Sequence, residues 1–234
     1  MPSLPSLHPA DAPPRQRRKD ARPQELLDAA LALFVEKGYA ATRAEEVAAR
    51  AGVSKGTLYL YYPSKEELLR AVIRDRLSSQ IRLGVLEAQE HTGSSAELLR
   101  GALARWWLRI VESPASGVFK LIVTEARSFP EIAECYRLEV AEPGRQLIGR
   151  VLRRGIERGE FRPVDVESAV HSLVLPMVML CMHRHTVGAC APADALDARA
   201  FIEQHMDLFV RGLRADAAEA TTSAPAPAAA GRPA

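Results

Sequence analysis

Apolar residues recur at three- and four-residue intervals over most of this chain, the period of helices with one buried face. Leu26, Leu27, Ala30, Leu31 and Phe34 predict a first helix over residues 23–37. Pro23 suits its first turn, Gly38 ends it and Tyr39 packs the corner. Thr42 and Glu45 then read as a capping box opening onto Val47, Ala48 and Ala51, and Gly52 closes that short helix. Ser54 caps another helix over residues 55–61, which turns Leu58 and Tyr62 inward before Pro63 breaks it. A fourth helix, about 64–86, carries Leu68, Leu69, Val72, Ile73, Leu77 and Ile81 on its inner side. Further helices are expected over 96–112, 117–127, 130–158 with a kink at Pro143-Gly144, 166–187 and 196–214. No stretch sustains the alternation of a strand and no internal repeat is visible, so the fold class is all-α.

The two short helices joined at Gly52 have the layout of a helix-turn-helix. The second presents Lys55, Thr57, Tyr59 and Tyr61 wholly or partly outward. Lysine meets phosphate as a point charge, threonine reaches base edges or a thymine methyl, and tyrosine hydroxyls reach phosphate oxygens. The same layout also serves as a packed hairpin or a protein-docking module.

Thr42, Val47-Ala48, Ala51-Gly52-Val53-Ser54, Gly56-Thr57-Leu58-Tyr59, Tyr62 and Ser64-Lys65-Glu66 together resemble the TetR family of one-component bacterial transcription regulators. The likeness is specific over about residues 22–69 and architectural beyond. It implies a three-helix reading domain followed by a larger helical ligand-binding and dimerisation domain. The boundaries expected are a basic disordered arm over 1–20, the reading domain over 21–66, the ligand domain over 67–215 and a disordered tail over 216–234. Carried over by position, the family's contacts to double-stranded operator DNA fall on Thr42, Ser54, Lys55, Gly56, Thr57, Tyr59, Tyr61 and Lys65. Thr42, Tyr59 and Lys65 are expected on phosphates, and Lys55, Thr57 and Tyr61 toward bases. Leu60 stands where the family often has an aromatic.

The resemblance further implies a homodimer built from the last two helices, on Val170, Leu173, Val174, Met177, Phe201, Ile202, Met206 and Phe209. An effector pocket is expected among the middle helices, at Trp106, Trp107, Phe119, Ile122, Glu125, Met177 and His183. Adjacent tryptophans cannot share one helical face, so one of the pair is expected at a cavity, a partner helix or solvent. Such walls suit an apolar or aromatic small molecule, with Glu125 favouring a cation or a hydrogen-bond donor. The function implied is a ligand-responsive repressor. An activator of the same fold, an interaction module and an enzyme built on the helical domain are its alternatives.

Net charge is only +2, which argues against indiscriminate polyanion binding. Up to Lys65 there are ten Lys or Arg against seven Asp or Glu, and 21 against 22 after it, so the small basic excess lies on the reading side. Three cysteines without paired spacing fit a reducing compartment, and no apolar run reaches the ~20 residues of a membrane span. The cytoplasm, at the nucleoid, is the expected location, with no membrane partner. No phosphate loop, nucleophile elbow or His-Glu-x-x-His pair is present, and no catalytic residue or cofactor is expected. Cys181, His183 and His185, with His171 and Cys190 nearby, form the densest ligand-type cluster, but their apolar neighbours favour packing, and no metal is expected.

Overall fold

The computed structural model describes residues 16–190 and 196–214, with side chains from residue 23 onward. In chain order, α1 is Gln16–Lys37, α2 is Ala44–Arg50 and α3 is Lys55–Tyr61. Helix α4 covers 65–90 as Lys65–Ile73, a π-helical turn Arg74–Ser78, and Ser79–Glu90. Helix α5 covers 95–112 as Ser95–Leu98, a π-helical Leu99–Leu103, and Ala104–Glu112. Then follow α6, Ser116–Glu125, and α7 over 130–157, which is Pro130–Tyr136, a π-helical Arg137–Ala141, and Glu142–Glu157. Helix α8 is Val166–Arg184, α9 is Val187–Cys190 and α10 is Ala198–Leu213. An isolated bridge between Phe161 and Arg214 is the one β-pairing among the described residues.

Three local expectations change. Helix α1 starts seven residues ahead of Pro23, so residues 16–20 of the expected arm are helical and the proline stands inside the helix, where it forfeits one backbone hydrogen bond. The remainder of that arm and the expected tail over 216–234 lie outside the described residues. Helix α2 is capped at Arg43, whose N–H donates to the Glu46 carboxylate at 2.9 Å, in place of the Thr42–Glu45 box. Around Pro143 the chain inserts the π-helical turn just upstream, which accommodates a residue without an N–H.

The reading unit is α1–α3, centred on Leu26, Ala30, Phe34, Val47 and Leu58. Gly52, at φ +66°, makes the tight exit between α2 and α3. Its core runs on without a break into that of α4–α10, where Leu99, Trp107, Val118, Leu152, Leu173 and Met206 are buried. The junction has two seams. On one, Gln24 and Asp28 of α1 meet Asp75 and Arg76 of α4. On the other, α6 lies along α1 so closely that a methyl on Gly117 would clash with the Val35 side chain, and the Lys120 ammonium donates to the Val35 carbonyl at 3.0 Å.

The expected dimer row needs correcting. Val170, Leu173 and Met177 of α8, with Ile202 and Met206 of α10, are buried inside this same chain, because the row facing α5–α7 is taken by the chain's own core. Val174, Phe201 and Phe209 are half-buried. The apolar side chains left uncovered on these two helices are Leu175, Met179 and Leu208, each about 60% exposed. By length and composition the stretch Val166–Cys190, mean hydropathy 1.4, could cross a membrane, yet it carries a buried row packed on α5–α7.

Candidate reading surface and effector cavity

Helix α3 presents a continuous outward face. Ser54, Lys55, Gly56, Tyr59 and Leu60 are exposed, Leu60 at 85% the most exposed large apolar residue described, while Thr57 and Tyr61 are half-buried. The Ser54 hydroxyl accepts from the Thr57 N–H at 3.1 Å and lies 2.9 Å from the Thr57 hydroxyl, which fixes both at the helix start. Nothing crowds Gly56 from outside: a Cβ there would find only the Ser54 hydroxyl, at 3.8 Å. Lys55 pairs with Glu45 at 2.5 Å and leans over the Tyr59 ring at 5.8 Å. That hydrogen bond holds the Glu45 carboxyl below the usual carboxylate range, so the pair is ionised and an incoming phosphate must compete with Glu45 for the ammonium.

Thr42 and Lys65, expected at phosphates, are turned inward. Thr42 is 1% exposed and its hydroxyl donates to the Gly38 carbonyl at 2.7 Å. The Lys65 ammonium donates to the carbonyls of Tyr39 at 3.0 Å, Thr42 at 3.2 Å and Ala40 at 3.4 Å, and sits 4.3 Å from the centre of the Tyr39 ring. An ammonium has three N–H donors, and the turn takes all three. The physical cause is the turn itself. Gly38 at φ +87° directs its carbonyls outward at the end of α1, where they require a cation or water.

The other side of the same turn is held by α6. The Tyr39 N–H donates to the Glu125 carboxylate at 3.1 Å, and a Cβ on Gly38 would come 2.7 Å from that carboxylate oxygen. The Tyr39 ring is fully buried, 4.9 Å edge-on from Phe129 and 5.4 Å from Phe34. Glu125 is therefore committed to the α1–α2 turn and does not line the cavity.

That cavity, of about 500 Å³, lies between α4, α5, α6, α7 and α8. Of the expected residues, Trp106, Trp107, Phe119 and Ile122 stand in its wall; Glu125, Met177 and His183 do not. Along α8 the wall is formed by Val170, Val174 and Val178 at four-residue spacing, with His171 and Leu175 at its exposed rim. Met177 points away into the core, fully buried, and His183 lies beyond the last of them. Gly84, Ala88, Ala102, Ala141 and Gly144 also line the space, and small side chains on facing helices are what leave it hollow. That pattern is visible in the sequence once the facing helices are known. Two of the π-helical turns, at Leu99–Leu103 and Arg137–Ala141, border it. The two tryptophan rings meet edge-on at 4.7 Å, and both indole N–H groups are buried without an acceptor.

The Cys181 cluster is taken up by packing. Burial pushes the Cys181 thiol up to about 12, and Nε2 of His185 lies 2.8 Å from the buried Ser116 hydroxyl. Among the described residues no three His, Cys, Asp or Glu side chains are grouped to hold a metal ion.

Two family models match this chain. Residues 26–72 match the model for bacterial regulatory proteins of the tetR family, and residues 89–204 that for the tetracyclin repressor-like C-terminal domain. The transcriptional repressor KstR2 of Mycobacterium tuberculosis is 31% identical over 153 residues, covering 63% of this chain and 74% of its own. The transcriptional activator FasR of Mycolicibacterium smegmatis is 33% identical over 115 residues, covering 49% and 52%. Among solved structures, the fatty acid degradation regulator FadR from Bacillus halodurans superposes with a TM-score of 0.66 at 22% identity, covering 83% of this chain and 97% of that one.

Proposed function

This chain belongs to the tetR family of bacterial regulatory proteins, and on that premise we propose that it is a repressor released from a palindromic operator by a small apolar effector. It works as a homodimer at the nucleoid. Repression is preferred because the relative named as a repressor matches over a longer stretch than the one named as an activator. A transcriptional reporter decides between them: removing the gene raises transcription under repression and lowers it under activation.

The observation that carries the reading is the double duty of α6. One face, with Phe119, Ile122 and Val123, walls the cavity, and the other, with Lys120 and Glu125, grips the end of α1 and the Tyr39 turn. A ligand that moves α6 acts on the turn to which Lys65, four residues beyond α3, is also tied.

At the DNA, Ser54, Lys55, Gly56, Thr57, Tyr59 and Tyr61 form the reading face, with Leu60 available to a thymine methyl. Lys55→Ala and Tyr59→Ala are each expected to weaken binding to the protein's own upstream DNA by about fivefold, roughly 1 kcal/mol. A gel shift in excess random DNA measures this, and unchanged affinity in both variants would remove α3 from the interface.

Leu175, Met179 and Leu208 supply the apolar surface for the second copy, since they lie on the two helices that the family pairs across its two-fold axis. Two recognition helices ~34–36 Å apart then meet successive major grooves. Light scattering should give twice the chain mass of 25.6 kDa, and Met179→Asp with Leu208→Asp, neither of which lines the cavity, should return it to one. A wild-type monomer at micromolar concentration would sink the dimer.

A further inference from the structure

Beside the apolar cavity runs a second hollow of about 460 Å³, along α7 and the start of α8, sharing Glu142, Arg145 and Val170 with it. The two differ in chemistry. The first has walls of tryptophan, phenylalanine and aliphatic side chains; the second is lined by Glu142, Arg145, Arg150, Arg153, Asp165 and Glu167. Formal charges there cancel, but most are already spent. Glu142 accepts from Arg145 at 2.7 Å, Glu167 pairs with the same guanidinium, and the Asp165 carboxylate accepts the Ser168 N–H at 3.0 Å as the cap of α8. Among the described residues Arg150 and Arg153 have no ionic or hydrogen-bonding partner, and both are exposed. They follow Arg145 by five and eight positions on α7, and the Arg153 guanidinium lies over the buried Gly149, where an added Cβ would meet it at 3.6 Å, so it borders the groove without being held by a partner. What the groove offers a ligand is thus two uncommitted guanidinium groups and a third, Arg145, shared with carboxylates at the point where groove and cavity join.

We propose that the effector is an amphiphile, with its apolar body in the cavity and a bulky anionic head, phosphate-bearing, in the groove of Arg145, Arg150 and Arg153. This rests on the reading of the cavity as the effector site. Planar guanidinium groups bind phosphate oxygens in pairs, and a space of this size exceeds what a lone carboxylate needs. Arg145 exchanges a carboxylate partner for the head group, so head binding loosens the tie between α7 and α8 that Glu167 makes.

The test uses the full chain and follows the fluorescence of its two tryptophans, both in the cavity wall. Decyl phosphate, 1-decanol and inorganic phosphate are titrated separately. Decyl phosphate should bind about tenfold more tightly than decanol at low ionic strength, with the gap closing as salt is added. Arg150→Gln with Arg153→Gln, two exposed changes that break no ion pair or hydrogen bond, should bring decyl phosphate down to the level of decanol. Equal binding of decyl phosphate and decanol would overturn the head-group site while leaving the cavity reading in place. Binding of inorganic phosphate as tight as that of decyl phosphate would make the groove a free anion site and overturn the amphiphile. If neither alkyl compound binds, the cavity reading fails for chain-like ligands, and the amphiphile falls with it.

Discussion

Lys65→Ala should cost the protein about 2–3 kcal/mol of stability, the combined loss of charged hydrogen bonds to three carbonyls and a cation–π contact at a half-buried site. For a chain of this size that is a fall in melting temperature of roughly 5–10 °C. A phosphate-binding lysine would behave otherwise: its removal would spare the melt and lower the slope of log affinity against log salt by about one. Calorimetry and a salt series on the same variant therefore decide the matter. The structure calls for a large thermal shift with the salt slope unchanged, and the reverse pattern would return Lys65 to the DNA backbone. Lys65→Arg is a useful companion, since a planar guanidinium keeps the charge but cannot reach three divergent carbonyls in the same way.

Glu125→Ala is expected to break the link between effector and operator. The coupling between the two ligands, about 5- to 150-fold in a typical allosteric protein, should fall toward one. Both sites would still bind, because Glu125 lines neither the cavity nor the reading face. Some stability goes as well, since the Tyr39 N–H loses its acceptor, at about 1–3 kcal/mol. The measurement is reciprocal. The alkyl probe is titrated into free protein and into the operator complex, and the ratio of its two affinities is compared between wild type and variant. A variant that is less stable yet keeps the wild-type ratio would show that α6 does not transmit through this carboxylate.

Both predictions concern residues whose partners in the structure differ from those the sequence suggests, and the reasons are physical. Periodicity and capping residues placed α2, α3 and the start of α4, because Gly52, Ser54 and Ser64 act within a few residues of themselves. The outward side of α3 was legible for the same reason. Lys65 and Glu125 were not, because their partners sit 26 and 86 residues away and no local pattern records such a pairing. The cavity was half legible. Trp106, Trp107, Phe119 and Ile122 were found by bulk and aromaticity, whereas Gly84, Ala88 and Ala102 define the hollow by being small and draw no notice until the helices face one another. On α8 and α10 the apolar rows were visible, but α8 is apolar nearly all round and does not say which row meets its own core.

The Tyr39 turn also bears on how the chain folds. Its ring is sealed by Phe34 from before the recognition unit and by Phe129 from well after it, and its peptide is held by Lys65 and Glu125. A fragment ending at residue 66 would keep every residue of the helix-turn-helix and lose half of what encloses that ring. The reading unit is a separate module by function and an incomplete one by packing: its core continues into that of the helices that follow, so calorimetry should show one shared unfolding transition, and its last native contacts wait on chain made long after its own.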